Sequence, residues 1–131
     1  MGFRLLPHTA DLRAVLEAAD RPELYRVAAE LVCFILVGSS PVAAVERREI
    51  ALEAVDEPER LFRFVRELLF LYDVEAFLPA AVSFGDPLTV RGEVFDPARH
   101  ASEHQVKAVT RHGYVFRQGP FGYHVELVFD L

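Results

Sequence analysis

Two short signatures constrain this chain more than any other feature of it. Asp20, Arg21, Pro22 and Glu23 form one, and Asp56, Glu57, Pro58 and Glu59 form the other. Each joins a carboxylate that can accept the unpaired N–H groups of a first helical turn to a proline placed where its missing donor does no harm, with a glutamate three residues after the cap. Apolar residues then recur at helical spacing: Leu24, Val27, Ala28, Leu31, Val32 and Ile35 after the first, and Leu61, Phe62, Val65, Leu68, Leu69 and Tyr72 after the second. The pattern predicts two amphipathic helices, one over residues 22–37 closed by Gly38, Ser39, Ser40 and Pro41, the other ending near Asp73. A purely β fold is excluded.

The remainder reads as short strands and turns. Strands are expected over residues 3–6, where Pro7 interrupts, and over 12–17, 45–55, 80–84 and 88–95, with Gly92 a candidate bulge. Residues 106–112 and 114–117 are strand-like, residues 118–122 form a turn, and residues 123–129 form the last strand. The expectation is an α+β fold, a single domain over residues 1–131 with two main helices packed on a largely antiparallel β-sheet. A chain of 131 residues that is 52% hydrophobic can close one core without disulfides.

Several function classes fall away. Cys33 is the one cysteine and lies in an apolar run, so it reads as a buried thiol and offers neither a bridge nor a paired metal ligand. No secretory signal and no run of transmembrane length is visible, so a cytoplasmic protein without a membrane partner is expected. The net charge of −6 makes a poor general binder of nucleic acid, whose affinity comes from neutralised phosphates. It suits a basic protein partner or a divalent cation. No phosphate loop, nucleophile elbow or dinucleotide fingerprint is present, and the phenylalanines read mostly as core.

The candidate chemistry gathers near the two ends of the chain. Residues 123–129 alternate so that Tyr123, Val125, Leu127 and Phe129 share one face, which places Asp130 on the other, away from the core. Asp11, Asp130 and the carboxylate of Leu131 would together supply hard oxygen ligands for Ca²⁺, Mg²⁺ or Mn²⁺. Spacing alone leaves open that Asp11 caps a turn and that Asp130 is merely solvated. His8 beside Thr9 reads from spacing as a structural residue rather than a ligand. His100, His104, His112 and His124 have no zinc-motif spacing. Lys107 is the one lysine among arginines, opposite in face to Val106, Ala108 and Thr110, and could orient a carboxylate or meet a phosphate, or be an ordinary surface lysine.

These motifs, taken in order, resemble the archease family. The resemblance rests on His8, Thr9, Ala10 and Asp11, the helix over residues 22–37, the segment from Leu68 to Asp73, Gly92 ahead of Asp96 and His100, Lys107, Ala108, Val109 and Thr110, and the closing Val128, Phe129, Asp130 and Leu131. It implies an α+β fold and, in place of an enzyme activity, a helper role for the RtcB-type RNA ligase, which uses GTP and Mn²⁺ in tRNA splicing and RNA repair. Such a helper promotes guanylylation of the ligase and its multiple turnover, and meets RNA only indirectly through the ligase. The resemblance also implies an acidic metal site made of Asp11, Asp130 and Leu131, with Lys107 a further functional position and His8 a neighbour that orients the site. A monomer or a small homo-oligomer is compatible with it. The chain departs from the pattern at His104 and Gln105, where an acidic residue is usual, and in its arginine-rich residues 42–49. The alternatives are a general protein-binding module or chaperone, which calls for an exposed apolar groove, and a metal-dependent hydrolase, which calls for an acid–base pair in a cleft.

Overall fold

Both helix starts fold as their chemistry dictates. In the computed structural model, which describes residues 2–6 and 11–131, helix α1 spans Arg21–Val37 and helix α2 spans Glu57–Glu75. The Asp20 side chain accepts from the N–H of Glu23 at 2.9 Å, and Asp56 accepts from the N–H of Glu59 at the same distance. Glu23 reaches back to accept from the N–H of Ala19 at 2.6 Å, which settles a second unpaired donor. Gly38, at φ 62°, ends α1 with its N–H on the carbonyl of Phe34. Helix α2 runs one half-turn past Asp73, because Ala76 adopts the left-handed cap conformation that glycine usually supplies.

Seven strands are found among the described residues: β1 (Gly2–Leu6), β2 (Asp11–Ala18), β3 (Glu46–Ile50), β4 (Phe77–Ser83), β5 (Leu88–Val94), β6 (Ala108–Gly119) and β7 (Gly122–Asp130). They form two antiparallel sheets, one ordered β1-β2-β7-β6 and the other β3-β5-β4. Helix α1 packs on β2 and β4, and α2 packs on β4 and β6, so the helices close the core over both sheets. Leu16, Leu24, Tyr25, Leu31, Phe62, Phe64, Phe77 and Phe129 are fully buried there. Fully burying each such side chain contributes roughly 1.5–3 kcal/mol before chain entropy is counted.

Three of the strand expectations need correction. The strand expected over residues 45–55 stops at Ile50, since Ala51, Glu53, Ala54 and Val55 are exposed and have no apolar face to bury. The strand expected over residues 80–84 begins earlier, at Phe77, whose ring is buried. The two segments over residues 106–117 are one strand, β6, whose register against β7 shifts between Thr110 and Val115 and which contains Gly113 at φ 80°. The phenylalanines are not uniformly core: Phe34, Phe70 and Phe121 are exposed, the last at the tip of the β6–β7 hairpin. Cys33 is half-buried rather than buried, and burial pushes its thiol up to about 11.

Gly92 meets the bulge expectation from the partner's side. The register between β4 and β5 shifts between Pro79 and Ala81, opposite Gly92. A Cβ at Gly92 would lie 1.8 Å from the carbonyl oxygen of Leu78, so only glycine lets the two backbones approach this closely.

Candidate functional site

The register of the four-stranded sheet places Asp11, the first residue of β2, directly opposite Asp130, the last of β7. Directly opposed residues of an antiparallel pair project to the same face, with Cβ atoms about 4.5–5.5 Å apart. That face is the one away from the helices, because Leu12, Ala14 and Leu16 of β2 and Phe129, Leu127 and Val125 of β7 turn inward. Asp11 is half-buried and Asp130 exposed. On the far side of β7, Asp130 is opposite Ala108, and the N–H of Lys107 donates to the carbonyl of Asp130 at 2.8 Å. Asp11, Asp130, Leu131 and Lys107, far apart in sequence, therefore meet at one end of one sheet. His8 lies outside the described residues.

Around the corner of this sheet end is a cleft of about 400 Å³ between the last turns of both helices and residues 102–107. Leu36, Tyr72, Asp73, His104, Lys107 and Leu131 are among its lining. Neither helix carries a basic residue in its last turn, so the partial negative charge of both C-termini is left without a helical counter-charge. Asp73, Asp130 and Asp11 gather negative charge at this end, with Lys107 in the lining of the cleft and Arg66 beside it. Asp73 belongs to this lining although sequence reading marked it only as the end of a helix.

The segment that delivers Lys107 is held by an ionic cluster that sequence reading did not assemble. Glu93, 5% exposed on β5, accepts from the N–H of Ala43 at 2.5 Å, from Arg99 through both carboxylate oxygens, and from His100 at 3.2 Å. His100 is buried, and its Nδ1 accepts from the N–H of Asp96 at 2.9 Å. The proton of the neutral ring is thereby assigned to Nε2, which donates to Glu93. The Arg99 guanidinium first, with the Ala43 N–H second, holds the Glu93 carboxyl down to about 2. Further along, the N–H of Glu103 donates to Leu36 and the His104 ring donates to Ile35 at 3.0 Å, tying the segment to the end of α1. The spacing of Glu93, Arg99 and His100 was the available signal, and only the turn at Asp96 brings them together.

Metal-binding capacity rests on few groups. Among the described residues no group of three or more His, Cys, Asp or Glu side chains is placed to hold a metal ion. Asp11 and Asp130 contribute two side-chain carboxylates, and Leu131 follows immediately. Two carboxylates held opposite each other repel, and a divalent cation between them would convert that repulsion into attraction. The donors are hard oxygens without thiolate or imidazole, which suits Ca²⁺, Mg²⁺ or Mn²⁺ and not a soft metal. In this sense the residues fit a hard divalent ion that takes water for the rest of its shell.

Beside the two carboxylates, the outer face of the same sheet is a ladder of balanced charge. Arg4 pairs with Glu17 at 3.3 Å, and the His124 ring is 2.9 Å from Glu126. His124 first, then Arg117 and Arg13, hold the Glu126 carboxyl below its ordinary range. No helix of the described residues is long and apolar enough to cross a membrane.

Comparison with known proteins identifies the family to which this fold belongs. The model of the Archease protein family (MTH1598/TM1083) matches residues 3–131. Protein archease of Sulfurisphaera tokodaii is 32% identical over 84% of this chain and 84% of its own length, and that of Thermococcus kodakarensis is 29% identical over 88% and 87%. The solution structure of Methanobacterium thermoautotrophicum protein 1598 is similar at a TM-score of 0.83 and 27% identity, covering 99% of both chains. A Thermotoga maritima crystal structure described as an archease, possible chaperone, shares the fold at a TM-score of 0.63 and 18% identity, over 96% of this chain and 94% of that one. The chain belongs to the Archease family.

Proposed function

We propose that this protein is a non-catalytic activator of the GTP- and Mn²⁺-dependent RtcB-type RNA ligase in tRNA splicing or RNA repair, acting through a divalent-cation site at its acidic sheet end. The observation that carries the reading is the direct opposition of Asp11 and Asp130 on neighbouring strands. Asp11, Asp130 and the carboxylate of Leu131 would hold the ion. When bound, it would supply a hard Lewis-acidic charge that can be shared with, or passed to, oxygen ligands of a partner site.

The chain's own residues do the rest. The ladder between β2 and β7 fixes the two aspartates at a set separation, and the Lys107 N–H fixes the carbonyl of Asp130. The Lys107 ammonium, exposed at the cleft, is placed to meet an anionic group such as a phosphate of a guanylylated partner. The negative ends of two helices and a net charge of −6 favour approach to a cationic, RNA-binding surface and leave no basic track for RNA itself.

A binding-module reading draws on the exposed Phe70, Val74 and Phe121. The two readings part in one assay: multiple-turnover RNA ligation by the cognate ligase with GTP and Mn²⁺, with no addition, with this protein, and with its Asp130→Ala variant. The activator role predicts a rate rise that the variant loses. No rise with an active ligase overturns it in favour of a binding module.

A further inference from the structure

The edges of the two sheets are built differently. Four of the five residues of β3, an edge of the three-stranded sheet, are charged: Glu46, Arg47, Arg48 and Glu49. Charges in such a row discourage a further strand from adding. β6 is an edge of the four-stranded sheet, and its first three residues, Ala108, Val109 and Thr110, carry no charge.

A groove of about 180 Å³ separates this part of β6 from α2. Leu69, Phe70 and Val109 give it an apolar floor, and Arg66, Asp73 and Lys107 stand around it. Phe70 is 55% exposed. Arg66 is exposed with its guanidinium 5.9 Å from the Phe62 ring centre, and neither it nor Lys107 enters an ion pair among the described residues. An open strand edge, an apolar slot beside it and two cations in reach make up the set of features that strand-addition sites use.

A second copy of this chain is a poor occupant. Antiparallel pairing of two β6 edges centred on Val109 would set Lys107 against Arg111 of the second copy, which is already ion-paired with Glu59 and offers Lys107 no carboxylate of its own. The complementary occupant carries a carboxylate opposite Lys107, the residue that leads into β6. Side chains two apart on a strand share a face, so that carboxylate and the apolar residue entering the slot are separated by one residue.

We propose that Lys107 and the first residues of β6, 108–110, accept an extended segment of a partner protein by strand addition, with an apolar side chain of that segment seated over Leu69 and Phe70 and a carboxylate two residues away meeting Lys107 and Arg66. The surface adjoins the proposed cation site and goes beyond it, since strand addition requires neither the ion nor a ligase.

The test is a titration of the intact protein, metal-free and without ligase, with the capped hexapeptide acetyl-Thr-Glu-Thr-Leu-Thr-Val-amide, followed through its backbone amide NMR signals. Saturable shifts confined to residues 106–111 and α2 are expected in the range of about 1 mM peptide, typical of so short a ligand. The peptide with lysine in place of glutamate is expected to bind at least about tenfold more weakly, because its charge opposes Lys107 and Arg66. Phe70→Glu, a change at an exposed position, should abolish the shifts and leave the remaining spectrum intact. The proposal is overturned if no shifts appear at about 5 mM peptide, if the lysine peptide binds equally well, or if shifts centre elsewhere. It is also overturned if sedimentation shows a dimer whose β6 amides are already protected. Failure here leaves the ligation result standing, and the converse also holds.

Discussion

Glu93 and Asp130 are carboxylates at the ends of neighbouring architectural units, and the fold treats them in opposite ways. Glu93 is 5% exposed and surrounded by the Ala43 N–H, Arg99 and His100, so its charge is answered from within the chain. Asp130 is exposed, faces Asp11 across a ladder, and makes no side-chain hydrogen bond or ion pair among the described residues. A saturated buried carboxylate holds a segment in place. An opposed pair of carboxylates at a sheet end, beside two helix C-termini, concentrates negative charge that a cation would offset.

The contrast breaks most visibly at the saturated cluster. His100→Ala removes a donor from Glu93 and the acceptor of the Asp96 N–H in a buried site, and should lower stability by roughly 2–3 kcal/mol in urea unfolding. The ligase activation proposed above should fall only as far as Lys107 loses its anchor. On the proposed activator role, Asp130→Ala should show the reverse pattern: an unfolding free energy within about 0.5 kcal/mol of the unaltered chain's, together with a loss of stimulation of about tenfold or more in multiple-turnover ligation. Equal stability losses in the two variants would erase the distinction drawn between the clusters.

Acid sharpens it further. Glu93 and Glu59 are both held down to about 2 from an ordinary 4.5, Glu93 chiefly by Arg99 and Glu59 chiefly by Arg111 and then Arg63. Because the folded-state values are depressed, their contribution is fully present above pH about 4.5 and is lost as pH falls from there through about 2. Glu59→Gln should therefore lower stability in the neutral region and flatten its fall with acid, the two curves converging as pH drops toward about 2, read by circular dichroism. The smallest effect belongs to Asp130→Asn in the presence of a chelator. Removing one of two opposed like charges should raise the unfolding free energy by no more than about 0.5 kcal/mol.

Sequence patterning carried the two helices almost to the residue, because a capping carboxylate, a first-turn proline and a 3.6-residue apolar repeat are all local. It also placed Asp130 on the outer face, since alternation along one strand is local too. The opposition of Asp11 and Asp130 needed the register between strands at the two ends of the chain, and the resemblance to a family supplied what spacing could not. The Glu93–Arg99–His100 cluster depends on a turn in which His100 bonds its own backbone at Asp96, and that turn leaves only a weak mark on the sequence. β6 was read as two pieces because Gly113 and the register shift beside it interrupt an alternation that the ladder with β7 carries across. The strand expected after Val45 is overlong for the opposite reason: Ile50 and Leu52 do pack toward the core, but pairing with β5 ends at Ile50 and Ala54 is exposed.

The most direct test of the account is a Mn²⁺ titration of the isolated protein followed by electron paramagnetic resonance, comparing the unaltered chain with Asp130→Asn. The account predicts one site that quenches the free-ion signal in the unaltered protein and is lost in the variant; equal binding by both would place the ion elsewhere and contradict the assignment of the acidic sheet end.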